Sequence, residues 1–362
     1  MIRALIIDDS AYNRRTIKAI LESSGEVHVI GTARDGEEGL KKAFELKPDA
    51  ITLDLQMPQM DGFTFLRIMM KHQPTPVIVV SSKNEDTAVF KALELGAVDF
   101  IPKPSMKASP ELYSLREELL AKILAIEKIN MRIIQRRLVD LPVKLATTGD
   151  HPLRTKVKER TEISHVPSDD VRFKAVAIGA STGGPSALQT ILSDLPGDIG
   201  VAIAVSQHMP PGFTRAFAER LDRYTSLQVK EAESGDLLSP GWVLIAPGGY
   251  NLYLQTQRKE VKAVLRRRRA EDRYVPSVDI MFNSAAEVFK ERLLGIVLTG
   301  MGNDGKEGLK EIKKRGGRTL AESSESAVIF GMPRVAIEGG SVDRIVPLSH
   351  MSQEIIGWSG KL

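Results

Sequence analysis

The chain has 362 residues, no cysteine and a formal net charge of +4, with 42% hydrophobic and 5% aromatic residues. That length suits two globular domains, each able to bury a core, and the composition excludes a fibrous or disordered chain. Without cysteine there is no disulfide, thiolate nucleophile or thiolate-bound metal, and so small a net charge does not by itself point to nucleic acid.

The N-terminal MIRALIIDDS meets two aspartates after an apolar stretch too short for a secretory signal. No apolar run reaches the roughly 20 residues of a membrane helix, so the expectation is a soluble, cytoplasmic protein. Short apolar runs at Ile2–Ile7, Val27–Thr32, Ala50–Leu53, Val77–Val80 and Val98–Ile101 read as strands. Amphipathic segments at Tyr12–Leu21, Glu37–Leu46, Thr64–Met70 and Thr87–Leu95 alternate with them. That alternation predicts a five-stranded, doubly wound parallel sheet. One long helical pattern follows, from Pro110 to Leu138. The stretch from Val139 to Arg172 holds Pro142, Pro152 and Pro167, mixed charge and no periodicity, and reads as a linker. A second α/β pattern opens at Phe173. Its strands are FKAVAIG, GVAIAVS, GWVLIAP and LLGIVLT, with helical patterns at Pro185–Leu195, Gly212–Tyr224, Val278–Phe289 and Lys306–Lys314. The predicted domains are therefore 1–125, a linker at 126–172, and 173–362.

In the first domain Asp8 and Asp9 follow the first strand, Asp54 ends the third, Ser81 ends the fourth and Lys103 follows the fifth. All stand at strand C-terminal ends, the ligand-binding edge of an open α/β sheet. Read singly, an Asp-Asp pair after a strand is a helix N-cap. Together, three carboxylates repel unless a hard cation sits among them, and Mg²⁺ suits oxygen ligands shared with a phosphate. A lysine and a hydroxyl beside them would hold the remaining phosphoryl oxygens. With LDLQMPQMDG and PKP, this half resembles the receiver domains of two-component response regulators, which have a flavodoxin-like fold. The resemblance implies phosphorylation of Asp54 by a histidine kinase and Mg²⁺ held by Asp8, Asp9 and Asp54. It also implies phosphoryl contacts from Ser81 and Lys103, and an aromatic switch role for Phe100.

In the second domain, GASTGGP at 179–185 matches G-x-S-x-G between a strand and a helix. Such a turn can expose a serine nucleophile at a helix N-terminus, although a glycine-rich phosphate loop reads the same way. A serine needs a base. His28 and His72 belong to the first domain and His151 and His165 to the linker, leaving His208, at the end of VAIAVS, and His350 near the C-terminus. Asp304, after LLGIVLT, is the candidate orienting acid, though it also suits the N-cap of the next helix; Asp279, in VPSVDIM, is its rival. Gly300, Gly302 and Gly305 would let backbone N–H groups approach an oxyanion.

The order Ser–His–Asp differs from the Ser–Asp–His of the α/β-hydrolase fold. GASTGGP, SQHMPPGFT, APGG, PSVDIMF, LTGMGNDG and GMPRVAI occur in an order that resembles the catalytic domain of chemotaxis protein-glutamate methylesterases, the CheB family. That resemblance implies a doubly wound α/β methylesterase domain with Ser181 as nucleophile, His208 as base and Asp304 as orienting acid. Oxyanion donors would lie near Thr182 and Met301. It also implies demethylation, and glutamine deamidation, of methyl-accepting chemotaxis receptors, with a chemotaxis histidine kinase as phosphodonor. Mg²⁺ would serve the receiver and no cofactor the hydrolase. Tyr250 stands where a histidine is expected, and AESSES lacks an expected Gln-Asp pair. The run Arg266–Arg269 reads as a solvated strand end, or as a feature that steers an acidic partner. The alternative function is a non-enzymatic response regulator whose second domain binds a protein partner.

Overall fold

The computed structural model describes residues 1–82, 86–103, 110–135 and 173–360. The first domain consists of β1 (Ile2–Ile7), α1 (Ala11–Glu22), β2 (Val27–Ala33), α2 (Gly36–Leu46), β3 (Ala50–Asp54), α3 (Gly62–His72), β4 (Val77–Ser81), α4 (Asp86–Glu94), β5 (Asp99–Pro102) and α5 (Pro110–Leu124). The strands pair in parallel in the order β2-β1-β3-β4-β5, so every strand C-terminus lies on one edge. Strands β3 and β4 are buried along their whole length, which is why they read as unbroken apolar runs. The side chain capping α1 is Ser10, which accepts from Asn13 N–H. Asp8 and Asp9 are thereby free of the capping role that an Asp-Asp pair suggests.

The predicted helix from Pro110 to Leu138 is interrupted. Its first part ends at Leu124, a 3₁₀ turn covers Ala125–Lys128, and helix resumes at 131 and is described as far as 135. Between them Ile129 bridges Ile329 and the Asn130 N–H donates to Val328 O at 3.1 Å. The break lets Ile133 and Ile134 bury against Val328 and Ile329 of the second domain. The opening residues of the expected linker are therefore packed; its remainder, with His151 and His165, lies outside the described residues.

The second domain contains β6 (Lys174–Ala180), α6 (Gly184–Ser193), β7 (Val201–Gln207), α7 (Phe213–Tyr224), β8 (Gln228–Glu231), β9 (Trp242–Ile245), β10 (Tyr250–Gln257), β11 (Glu260–Arg267), α8 (Val278–Phe289), β12 (Leu293–Val297), α9 (Lys306–Lys314), β13 (Arg318–Glu322), α10 (Met332–Glu338), β14 (Arg344–Val346) and α11 (Leu348–Ser359). Seven of these strands form a parallel sheet in the order β14-β13-β12-β6-β7-β9-β8. The chain winds outward from β6 in both directions, which makes the β6/β12 boundary a topological switch point. The two central strands alternate by size. Ala175, Ala177, Ala202 and Ala204 face α8, where Phe282 and Phe289 fill the space that these alanines leave. Val176, Ile178, Ile203 and Val205 face α6, α7 and α11. Strands β10 and β11 pair separately as an antiparallel hairpin. The sequence reading had omitted that hairpin, together with β8, β13 and β14.

The domains meet through α4 and β5 of the first and α7 of the second. Phe90 stacks on Phe217 with centroids 5.5 Å apart, and Phe100 lies 4.7 Å from Phe213. Arg220 pairs with Glu94. Among the described residues no helix is long and apolar enough to cross a membrane.

Candidate active site

The sheet order places the ends of β12, β6 and β7 side by side. Ladder bonds continue past those ends: the Ser181 N–H donates to Thr299 O and the His208 N–H to Ala180 O, each at 3.0 Å. Backbone pairing therefore fixes the nucleophile candidate and the base candidate on adjoining strands. The turn after β6 needs its glycines. Gly183 caps α6 at φ 78°, and a Cβ on Gly300 would lie 2.7 Å from Ser181 Cβ. Gly300 thus serves close approach; its N–H is already given to Ile329 O at 3.0 Å, which removes it from the expected set of oxyanion donors. The Ser181 N–H is likewise used. Among the described residues the Thr182 and Met301 N–H groups have no intramolecular acceptor.

His208 Nε2 lies 2.8 Å from Asp304 Oδ2. The same carboxylate accepts from Ser277 Oγ–H at 3.1 Å, Val278 N–H at 2.7 Å and Asp279 N–H at 2.9 Å. Those donors open α8, whose N-terminal N–H groups lack partners within the helix. Burial alone would push Asp304 up. The hydrogen bond and charge of His208, with the Asp279 and Val278 N–H groups, outweigh burial and hold its carboxyl below the ordinary value. Asp304 is not the N-cap of the following helix: that position is Gly305. Asp279, the rival acid, instead accepts the Gly308 N–H at 2.6 Å in the first turn of α9. The two aspartates cross over, each receiving N–H groups from the helix beside the other. Burial, with the neighbouring Asp304 charge adding to it, pushes Asp279 up to about 6.

The His208 ring stacks on Tyr274, with centroids 4.9 Å apart and planes 6° from parallel. Tyr274 Oη–H donates to Asn303 Oδ1 at 3.3 Å. With Nε2–H turned to Asp304, Nδ1 keeps the lone pair. The Ser181 hydroxyl stands on the adjoining strand end and, among the described residues, makes no hydrogen bond to either partner.

In the first domain one carboxylate oxygen from each of Asp8, Asp9 and Asp54 lies within 4.8 Å of the others. Lys103 Nζ is 2.7 Å from Asp54 Oδ2. Burial still raises Asp54 to about 6, with the Asp8 charge contributing, and burial also raises Asp8. Carboxylates raised by burial and crowding fit a hard divalent cation, which would relieve both effects. Ser81 ends β4 beside them, and Phe100 is buried in β5.

Residues 176–355 match the family model described as CheB methylesterase, and residues 4–112 match the response regulator receiver domain. The whole chain is 54% identical to protein-glutamate methylesterase/protein-glutamine glutaminase 3 of Geobacter sulfurreducens, covering 98% of that protein. It is 45% identical, over 97% of its length and 95% of the relative, to protein-glutamate methylesterase/protein-glutamine glutaminase 1 of Myxococcus xanthus. The chain belongs to the CheB methylesterase family. The crystal structure of the Thermotoga maritima CheB methylesterase catalytic domain matches 52% of this chain and 99% of that one, at 42% identity and a TM-score of 0.51. This CheB-family enzyme thus joins the two folds anticipated from the sequence, a receiver with a five-stranded parallel sheet and a doubly wound α/β catalytic domain.

Several residues that shape this CheB site were not anticipated. The Thr299 N–H donates to Glu322 Oε2 at 2.8 Å, while its hydroxyl donates to Thr182 O at 2.9 Å and accepts from the Ile329 N–H at 2.9 Å. Gln207 Nε2 donates to Ser181 O and His208 O at 2.9 and 3.0 Å. Ser277 could have been found, because a serine before an apolar helical run is an N-cap signal. Glu322 belongs to the divergent AESSES segment and is fully buried, where it supports the turn through the Thr299 N–H. Tyr250 accepts a hydrogen bond from Arg267 Nε at 3.3 Å.

Proposed function

We propose that this enzyme hydrolyses glutamyl γ-methyl esters, and deamidates glutamine side chains, on methyl-accepting chemotaxis receptors in the cytoplasm, as an adaptation step controlled by phosphorylation of Asp54. The observation that carries the reading is the His208–Asp304 pair, 2.8 Å apart at the sheet edge where β6 delivers Ser181. The full-length likeness to a protein named for both activities supports the substrate class.

Ser181 Oγ attacks the ester carbonyl while His208 Nδ1 takes its proton, and Asp304 holds the ring and stabilises the imidazolium. The Thr182 and Met301 N–H groups receive the oxyanion. His208 returns the proton to the methoxide oxygen, methanol leaves, and water attacking through the same base frees the glutamate. An amide follows the same path with ammonia leaving. In the receiver Asp8, Asp9 and Asp54 would hold Mg²⁺, which supplies charge neutralisation during phosphoryl transfer from a chemotaxis histidine kinase. Ser81 and Lys103 would hold the transferred group.

The receiver lies on the residue after the nucleophile: Thr182 Oγ1–H donates to Asp99 Oδ2 at 2.5 Å. Asp99 also pairs with Lys122 at 2.8 Å, and its neighbour Phe100 sits against Phe213. In this arrangement the unphosphorylated receiver covers the cleft, and phosphorylation shifts the pair towards an open state. Methanol release from a methylated receptor fragment, with and without a small phosphodonor, tests both parts. Ser181→Ala is expected to lower release by about 10⁴-fold, and the phosphodonor to raise wild-type release. Release unchanged by the substitution would remove Ser181 as nucleophile; release indifferent to the phosphodonor would remove the gate.

A further inference from the structure

We infer that the end of the β10–β11 hairpin and the segment after it form a docking ledge for an acidic, glutamate-bearing stretch of the protein substrate. The inference rests on the protein-glutamate esterase reading above and names what surrounds the ester. Arg266, Arg267, Arg268, Arg269 and Arg273 are all exposed. Among the described residues only Arg269 meets a carboxylate, Glu271 at 3.9 Å. Elsewhere on this surface some cations are held by carboxylates, such as Lys42 by Glu38 and Arg315 by Glu311, each at 2.6 Å. On the ledge, three of the five lie over aromatic rings instead. Arg266 lies 4.6 Å from the Tyr253 centroid, Arg267 5.9 Å from Tyr250 and Arg273 5.2 Å from Tyr274. A guanidinium laid on a ring is held in place yet keeps its N–H fork for an incoming carboxylate. Less side-chain freedom then remains to be lost on binding. Tyr250, the departure from the family pattern, acquires a role as the support of Arg267.

The ledge is tied to the reacting groups. Tyr274 carries Arg273 on its ring and also stacks on His208. A second link runs through hydrogen bonds. The Arg269 N–H donates to Asp272 Oδ2 at 2.9 Å, and Asn251 Nδ2–H donates to the same oxygen at 3.0 Å. Asn251 Oδ1 accepts the Ser277 N–H at 2.8 Å, and Ser277 Oγ–H donates to Asp304. Asn251 is 1% exposed, so the inner end of this link is buried, while its Arg269 end lies at the surface. Arg273 and the Arg269 backbone are thereby tied to the base and the orienting acid, and the other three arginines flank them in the sequence. A protein segment fits them because the ester to be cleaved is a masked glutamate, and free glutamates beside it supply the carboxylates that five guanidinium groups select.

The test uses the full-length protein with a phosphodonor and two helical peptides. Each carries one glutamyl γ-methyl ester, flanked by glutamates in one and by glutamines in the other. Wild type is expected to prefer the acidic peptide about tenfold in kcat/KM, chiefly through KM, with the preference shrinking as salt screens it. The triple variant Arg266→Gln, Arg268→Gln, Arg273→Gln should bring that ratio towards one. A folding defect would lower both rates and leave the ratio, so the ratio isolates the ledge. No preference in wild type, or a ratio unchanged in the variant, overturns the ledge while leaving the esterase reading intact. Fluorescence anisotropy of the labelled acidic peptide separates the reverse case. Salt-sensitive binding that needs the arginines, without cleavage of either ester, supports the ledge and overturns the esterase reading. Tighter binding of a single-stranded oligonucleotide than of the acidic peptide also overturns the ledge.

Discussion

Asp304 and Asp279 are neighbours held in opposite states by the ends of two helices. Asp304, facing His208, stays ionised; Asp279, buried beside that charge, is raised to about 6. Because its folded value lies above the unfolded one, the stability associated with Asp279 is fully present below the ordinary carboxylate range and is lost as pH rises through about 6. Asp279→Asn keeps an oxygen for the Gly308 N–H and removes the charge. It should therefore raise the melting temperature of the catalytic domain more at pH 8 than at pH 5; an equal change at both would mean that the charge is not the source of strain. Asp304→Asn should instead leave the fold intact by circular dichroism and lower methanol release by about 10⁴-fold, the effect of a wrongly held imidazole. Sequence singled out Ser181, His208 and Asp304 because each is a reactive side chain after an apolar run. It left Asp279 open because both aspartates border helix starts, and only the crossing of their hydrogen bonds separates their roles. Thr299 and Glu322 were illegible for another reason. Their work is to bond backbone groups far along the chain, such as Thr182 O, 117 residues from Thr299, and no local pattern records such a bond.

The central strands and α8 form the stage on which those residues stand. Gly179 ends the small-residue face of β6, and a Cβ there would sit 2.2 Å from Val278 Cγ1. Gly179→Ala should push out the first turn of α8, which donates to Asp304. A cost of about 1–3 kcal/mol, on the order of 5 °C in melting temperature, is expected together with reduced turnover. Adding Val278→Ala should restore much of both, since the two sites share one contact; a purely additive loss would show that the clash is not the cause. The strands β6, β7, β9 and β12 were legible because burial on both faces makes them continuous apolar runs. The hairpin escaped notice because its outer positions are polar and its apolar positions alternate, a weaker signal than an unbroken run. The helix drawn unbroken past Leu124 kept its apolar rhythm across the break at 125–130, where the chain turns to bury Ile133 and Ile134 on the other domain.

Across the whole molecule, the contact between domains was the part that sequence could least convey. The resemblance gave Phe100 a switch role within the receiver, and nothing in the sequence joined it to Phe90, Phe213 and Phe217, yet the four form one shared apolar layer. Breaking that contact without touching either site is a direct test of the gate. Glu94→Lys sets two cations together at Arg220 and should raise methanol release in the absence of phosphodonor several-fold, narrowing the gap to the phosphorylated protein. Release that stays low would argue that the receiver acts other than by covering the cleft. The order of the two folds along the chain has a bearing on synthesis as well. Helix α5 ends at Leu124, whereas Asp304 comes roughly 180 residues later. At about 5–20 residues per second, on the order of ten seconds or more of translation separates the two. On the proposed mechanism, the receiver that covers the cleft is thus synthesised before the last member of the triad, and a newborn chain would not pass through an unguarded state.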